Sequence, residues 1–165
     1  MKKQLFILTV ALLSCISLVY AQTKEVRNVG TFTKISFRTP GKLYLRQGSP
    51  QKVELQGKQD ILKEIETDVE GSRLVIGKEG SWSGLNWGDD DEITVYITMK
   101  DIEGISVSGS GDIIGETKII AGDLDLNVSG SGNMNVEADA SGEVEADVSG
   151  SGDLVLKGKC REFNS

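Results

Sequence analysis

From Val26 to Arg46 apolar and polar residues alternate: Phe32, Ile35 and Phe37, then, beyond Thr39-Pro40-Gly41, Leu43 and Leu45. A period of two bounded by Pro and Gly predicts two strands joined by a turn. Gln47-Gly48-Ser49-Pro50 is the next turn, and Val53 with Leu55 forms a third short strand. Asp60 to Thr67 predicts a helix of two turns at most, with Asp60 as its cap and Ile61, Leu62 and Ile65 on one face. Glu66–Val69 and Arg73–Gly77 bracket Glu70-Gly71-Ser72 and read as a hairpin, with Leu74 and Ile76 directed into the core. Alternation returns at Ile93, Val95 and Ile97, and Ile102, Ile105 and Val107 lead into the first copy of a repeated phrase.

That phrase is Val-Ser-Gly-Ser-Gly followed by Asp or Asn. Its Ser-Gly-Ser-Gly cores begin at Ser108, Ser129 and Ser149, in steps of 21 and 20 residues. A fixed period of this size marks units that bury their apolar face only against their neighbours. Met134, Val136, Ala138, Val144, Ala146 and Val148 outline one unit, and a second small turn splits each, at Ala121-Gly122-Asp123 and Ser141-Gly142-Glu143. Two strands and two glycine corners per repeat suit the coil of a β-helix, and the third unit stops partway, at Ser165. In-register stacking would place Ser110, Ser131 and Ser151 in one column and Asp112, Asn133 and Asp153 in another, about 4.8 Å per step. The neutral Asn133 would relieve repulsion in the second column. Such residues serve mainly as turn formers that bond local backbone. Gly-x-Gly-x-Asp also echoes calcium-binding rolls, but those require the motif every nine residues.

Residues 1–21 change the picture at the start of the chain. Lys2 and Lys3, an apolar stretch from Leu5 to Val19, and Val19-Tyr20-Ala21 form a secretory signal. Leu12-Leu13-Ser14-Cys15 offers the rival reading of a lipoprotein signal anchored at Cys15. The expected domain is 22–165, divided into irregular strands over 26–107 and regular repeats over 108–165. With Lys2 and Lys3 removed, 16 basic residues face 25 acidic ones, a net charge of −9. This balance argues against nucleic acid or an anionic membrane as partner. No apolar run after the signal approaches the roughly 18 residues that span a bilayer, so the mature chain is not expected to be integral to the membrane. Cys160 is the one cysteine outside the signal and histidine is absent, which removes a disulfide framework, the usual general base and the commonest zinc ligand.

The segment Gly80 to Glu92 breaks the strand pattern with both tryptophans and four consecutive acids. Trp82, Trp87, Asp89, Asp90, Asp91 and Glu92 are the candidate ligand-binding residues. Indole faces pack against the apolar faces of sugars, and carboxylates accept hydrogen bonds from their hydroxyls. The acids could equally hold a hard cation, or be solvated while the tryptophans fold back onto the sheet. No catalytic residue, cofactor or metal site is identified.

Phe32-Thr-Lys-Ile-Ser, Gly41-Lys-Leu-Tyr-Leu-Arg-Gln-Gly, Val53-Glu-Leu-Gln-Gly, Leu74-Val-Ile-Gly and Ile93-Thr-Val-Tyr-Ile, followed by the repeated Val-Ser-Gly-Ser-Gly, resemble the bacterial head GIN domain, named from auto-transporter adhesins. The resemblance runs from Val29 to the end. It implies an exported protein of Gram-negative bacteria whose fold is a right-handed parallel β-helix, or β-solenoid. It also implies further Ser-Gly-Ser-Gly coils, so a C-terminally truncated solenoid is expected. The family brings no established site residues. The resulting expectation is a non-catalytic adhesin-like module in the periplasm, on the outer-membrane surface or outside the cell, with a surface glycan or protein as partner. A polysaccharide-active β-helix enzyme and a structural envelope protein that self-associates end to end are the competing classes.

Overall fold

The computed structural model describes residues 22–77 and 92–165. The chain forms β1 (Thr23–Arg27), β2 (Lys34–Phe37), β3 (Lys42–Gln47), β4 (Lys52–Gly57), a short helix α1 (Gln59–Glu64), β5 (Glu66–Glu70) and β6 (Arg73–Gly77). Beyond residue 91 follow β7 (Thr94–Met99), β8 (Gly104–Gly109), β9 (Asp112–Gly115), β10 (Ile119–Ala121) and β11 (Leu124–Gly130). Then come β12 (Asn133–Ala140), β13 (Glu143–Gly150), β14 (Leu154–Lys159) and β15 (Glu162–Asn164). A first sheet has the order β1-β4-β7-β3-β9-β12, with β10 and β14 also paired to β12. A second has the order β5-β6-β2-β8-β11-β13-β15.

Both sheets are mixed. Antiparallel pairs β1–β4, β4–β7 and β5–β6 stand beside the parallel ones. The expected right-handed parallel β-helix, in which strands run parallel to their neighbours throughout, is therefore corrected to an all-β fold of two mixed sheets. The cause lies before the repeats. Gly71-Ser72 closes a two-residue hairpin with φ 63° at Gly71, and β1 returns alongside β4, so local turns set the pairing of the first half. A repeat length governs only the strands that carry it.

Period-2 alternation turns one face of every long strand inward. Phe37, Leu43, Leu45, Val95, Ile97, Val107, Ile113, Leu126 and Val128 from both sheets join a single buried core. The helix is shorter than expected. Lys58 occupies its N-cap but does not cap the helix with its side chain, while Asp60 sits in the first turn and accepts a 3.0 Å bond from the Ile61 amide. The predicted face is buried: Ile61, Leu62 and Ile65 all enter the core between β4 and β5.

The Ser-Gly-Ser-Gly phrases are the corners that carry the chain from the second sheet to the first. Ser129 is in register with Ser108 on one side and Ser149 on the other. Residues 38–41 take the same place under Ser108–Gly111, since Phe37 pairs with Val107 and Lys42 with Asp112. The two glycines of each corner have different reasons to be glycine. Gly109, Gly130 and Gly150 have φ of 89°, 103° and 121°, a region costly for residues with a side chain. Gly111, Gly132 and Gly152 lack positive φ, but a Cβ there would strike the backbone oxygen of Thr39, Gly111 or Gly132 in the preceding corner. Beside them the Asx column forms as expected. Asp112 Oδ1 accepts from the Asn133 side-chain amide at 2.8 Å and its backbone amide at 3.2 Å, and Asn133 Oδ1 accepts from the Asp153 amide at 3.1 Å. Ser110, Ser131 and Ser151 remain exposed at the tips.

Candidate functional site

The two sheets present very different outer faces. Across the second, register aligns Asp68, Val75, Ser36, Ser106, Asn127 and Asp147, a row that is polar apart from Val75. Across the first, it aligns Val26, Glu54, Tyr96, Tyr44, Ile114, Asn135 and Val155. Tyr96, Tyr44 and Ile114 occupy adjacent strands at outward positions and are half-buried, giving an aromatic and aliphatic stripe at right angles to the strands.

The stripe is held by its neighbours. The Tyr44 and Tyr96 rings stack with centroids 5.4 Å apart and planes 15° from parallel. Lys24 Nζ covers the Tyr96 ring at 5.0 Å and pairs with Glu54 at 3.0 Å. Hydrogen bonds from Lys52 and Lys24 hold the Glu54 carboxyl below its ordinary value of 4.5. On the far side of the tyrosines Arg46 reaches Glu116 at 3.1 Å. Ring stacking and a cation beside one ring hold the two tyrosines together, half-buried between flanking charges. These groups line a shallow hollow of about 280 Å³. It offers flat apolar edges, hydroxyls and both signs of charge, a composition suited to a polar ligand with apolar faces. Among the described residues no group of acids and cysteine is arranged to hold a metal ion.

Of the residues singled out in the sequence, Trp82, Trp87, Asp89, Asp90 and Asp91 lie outside the described residues. Glu92 is exposed and bonds Lys42 Nζ at 3.1 Å, which raises the Lys42 pKa. Lys42 is on β3, two positions before Tyr44, so the Glu92 end of the tryptophan-bearing segment lies at the margin of the tyrosine stripe. The tyrosines themselves were missed by the sequence reading. Their one local sign was a large aromatic at a polar phase of the alternation, in Leu43-Tyr44-Leu45 and Val95-Tyr96-Ile97. That the two touch follows only from β3 pairing with β7 across 52 positions.

A family model described as "Putative auto-transporter adhesin, head GIN domain" matches residues 31–165. The chain belongs to this head GIN domain family. A crystal structure of a putative adhesin from Parabacteroides distasonis has 22% identity and a TM-score of 0.63, covering 88% of this chain and 69% of its own. A putative adhesin from Bacteroides fragilis has 15% identity and a TM-score of 0.57, covering 87% and 97%. One from Parabacteroides merdae has 12% identity and a TM-score of 0.54, covering 87% and 96%. At such identities the likeness establishes the two-sheet fold. No curated protein matches the chain. Among the described residues no helix is long and apolar enough to cross a membrane.

Proposed function

We propose that this head GIN domain protein is an exported, non-catalytic adhesin-like module that binds a surface glycan on the outer face of the first sheet. The observation that carries the reading is the stacked Tyr44–Tyr96 pair, half-buried on the outer face of the first sheet and bordered by Lys24, Arg46, Glu54 and Glu116. A sugar ring has apolar faces and a rim of hydroxyls, and tyrosine edges flanked by charges complement both. Trp82 and Trp87 are proposed as further contributors to binding the same ligand; Glu92, which follows them in the chain, pairs with Lys42 at 3.1 Å. The signal at residues 1–21 and the acidic mature chain agree with export. An enzyme would need a proton-transfer pair in a cleft; the tyrosine face is shallow and its acids are committed to ion pairs.

The test is a glycan array probed with the wild type, Tyr44→Ala, Tyr96→Ala and Trp82→Ala. The reading expects at least one glycan class to bind the wild type and to lose about ten-fold in affinity with either tyrosine variant, as when one stacked aromatic is removed. Binding unchanged in both tyrosine variants would refute it.

A further inference from the structure

The cations around the tyrosine stripe are not spread evenly. Register places Lys52 of β4, Thr98 of β7 and Arg46 of β3 in one row across three adjacent strands. That row lies two residues along from Glu54, Tyr96 and Tyr44, about 6.6 Å away. Residues two apart on a strand share a face, and all six side chains line the same shallow hollow. The row on the other side of the stripe is different. There register aligns Lys24, Gln56, Thr94, Lys42 and Asp112. Lys24 is drawn to Glu54 and the Tyr96 ring, and Lys42 is paired with Glu92 and stands beside Asp112.

The charges beside the tyrosines do not cancel. Glu54 is shared by Lys24 and Lys52, and Glu116 takes Arg46 at 3.1 Å. Three bases thus meet two acids, in a chain whose net charge is −7. Neither cation of the row is used up. Lys52 gives one ammonium donor to Glu54, and Arg46 reaches Glu116 through Nη2, so both exposed side chains keep further donors. They flank Thr98 at two strand separations, about 9.6 Å between Cα positions, and Thr98 supplies a hydroxyl between them. A planar anion above Thr98 meets one cation at each of its oxygens.

We propose that the ligand of the tyrosine face is an acidic glycan, a hexuronate, whose ring packs on Tyr44 and Tyr96 while its carboxylate sits on the Lys52–Thr98–Arg46 row. Resting on the tyrosine face as the glycan site, this adds the chemical class of sugar and the side on which its acid lies. A uronate carboxyl is bonded directly to the sugar ring, so a ring over one row brings its oxygens within hydrogen-bond reach of long side chains on the next. Its two oxygens suit two flanking cations, and the single excess positive charge suits a monoanion.

Calorimetric titration of the protein with tetragalacturonate, tetramannuronate and tetraglucuronate, each beside its counterpart with the carboxyls reduced to alcohols, tests this. The wild type should bind at least one uronate about ten-fold more tightly than its neutral form, the scale of two exposed charge pairs. The preference should shrink as salt is raised from about 50 mM to about 500 mM, because the row is open to solvent. Arg46→Gln and Lys52→Gln should each cut the preference by about three-fold, and the two together should abolish it. Lys63→Gln removes an equal charge from the exposed side of α1 and should not alter it. Tyr44→Ala should weaken acidic and neutral sugars alike. Equal binding of acidic and neutral forms, with a loss in Tyr44→Ala, overturns the uronate assignment and leaves the glycan face standing. A preference that survives the loss of both cations, or that falls as far with Lys63→Gln, overturns it too, as does no binding to any of the three uronates. Uronate binding indifferent to Tyr44→Ala and Tyr96→Ala overturns the face itself and the row with it.

Discussion

The two glycines of each corner make a prediction that separates space from conformation. Gly132 is buried, lacks positive φ, and would aim a Cβ into the Gly111 carbonyl oxygen, with Val107 Cγ2 at 3.0 Å. The obstacle is backbone held within a paired column, so no side-chain rotation relieves it. Forcing a methyl group into such a site costs about 1–3 kcal/mol. Displacing the Asn133 amide from the Gly111 carbonyl, 3.2 Å away, adds about 1 kcal/mol. Gly132→Ala should therefore lose about 3 kcal/mol, or about 9 °C in Tm for a domain of this size. Gly109→Ala meets nothing within 4 Å but carries φ 89°, and should lose about 1–2 kcal/mol. Gly122→Ala is both open and unstrained and should stay within about 0.5 kcal/mol. Thermal melts followed by circular dichroism give the three values. A neutral Gly132→Ala, or a Gly122→Ala as costly as Gly132→Ala, would refute the assignment.

Two further outcomes follow from side chains beside these features. Asn133→Asp exchanges a donor to Asp112 for a third carboxylate in the column, and should cost about 1–2 kcal/mol near neutral pH. Protonation removes the repulsion, so the deficit in urea-unfolding free energy should shrink as the pH is lowered through the carboxylate range; a deficit that grows instead contradicts the column. Glu54 is held below its ordinary value of 4.5 by Lys52 and Lys24, so its contribution to stability is complete above that value and is lost as pH falls through the lowered one. The wild type should thus lose Tm more steeply below pH 4.5 than Glu54→Gln, and parallel curves would show that the pairing does not stabilise the fold.

Much of the architecture was written locally. Ser-Gly-Ser-Gly at 108, 129 and 149 set a register that the strand pairs reproduce, because corner glycines tolerate little slippage against the corner before them. Glu70-Gly71-Ser72 marked its hairpin, and Ile61, Leu62 and Ile65 marked the buried face of α1. The topology of the first half was not legible. β2 pairs β8 across 70 positions and β4 lies antiparallel to β7, arrangements fixed by burial of whole strands and not by any local phrase. Periodicity in the last third suits the coil of a β-helix and the family resemblance implies a parallel β-helix throughout, but the antiparallel pairs of the first half overturn it. The candidate site is hidden for a related reason: Tyr44 and Tyr96 each sit between two buried apolar residues, and only the pairing of β3 with β7 brings them together.

The claim most exposed to test is that the ligand lies on the tyrosine face. Backbone and aromatic NMR shifts, recorded while titrating the isotope-labelled protein with the best glycan from the array, locate it directly. Shifts are expected to concentrate at Tyr44, Tyr96, Ile114 and Lys42, with Ser106 and Asn127 on the opposite face unmoved. Shifts centred on Ser106 and Asn127, with the tyrosines silent, would contradict it.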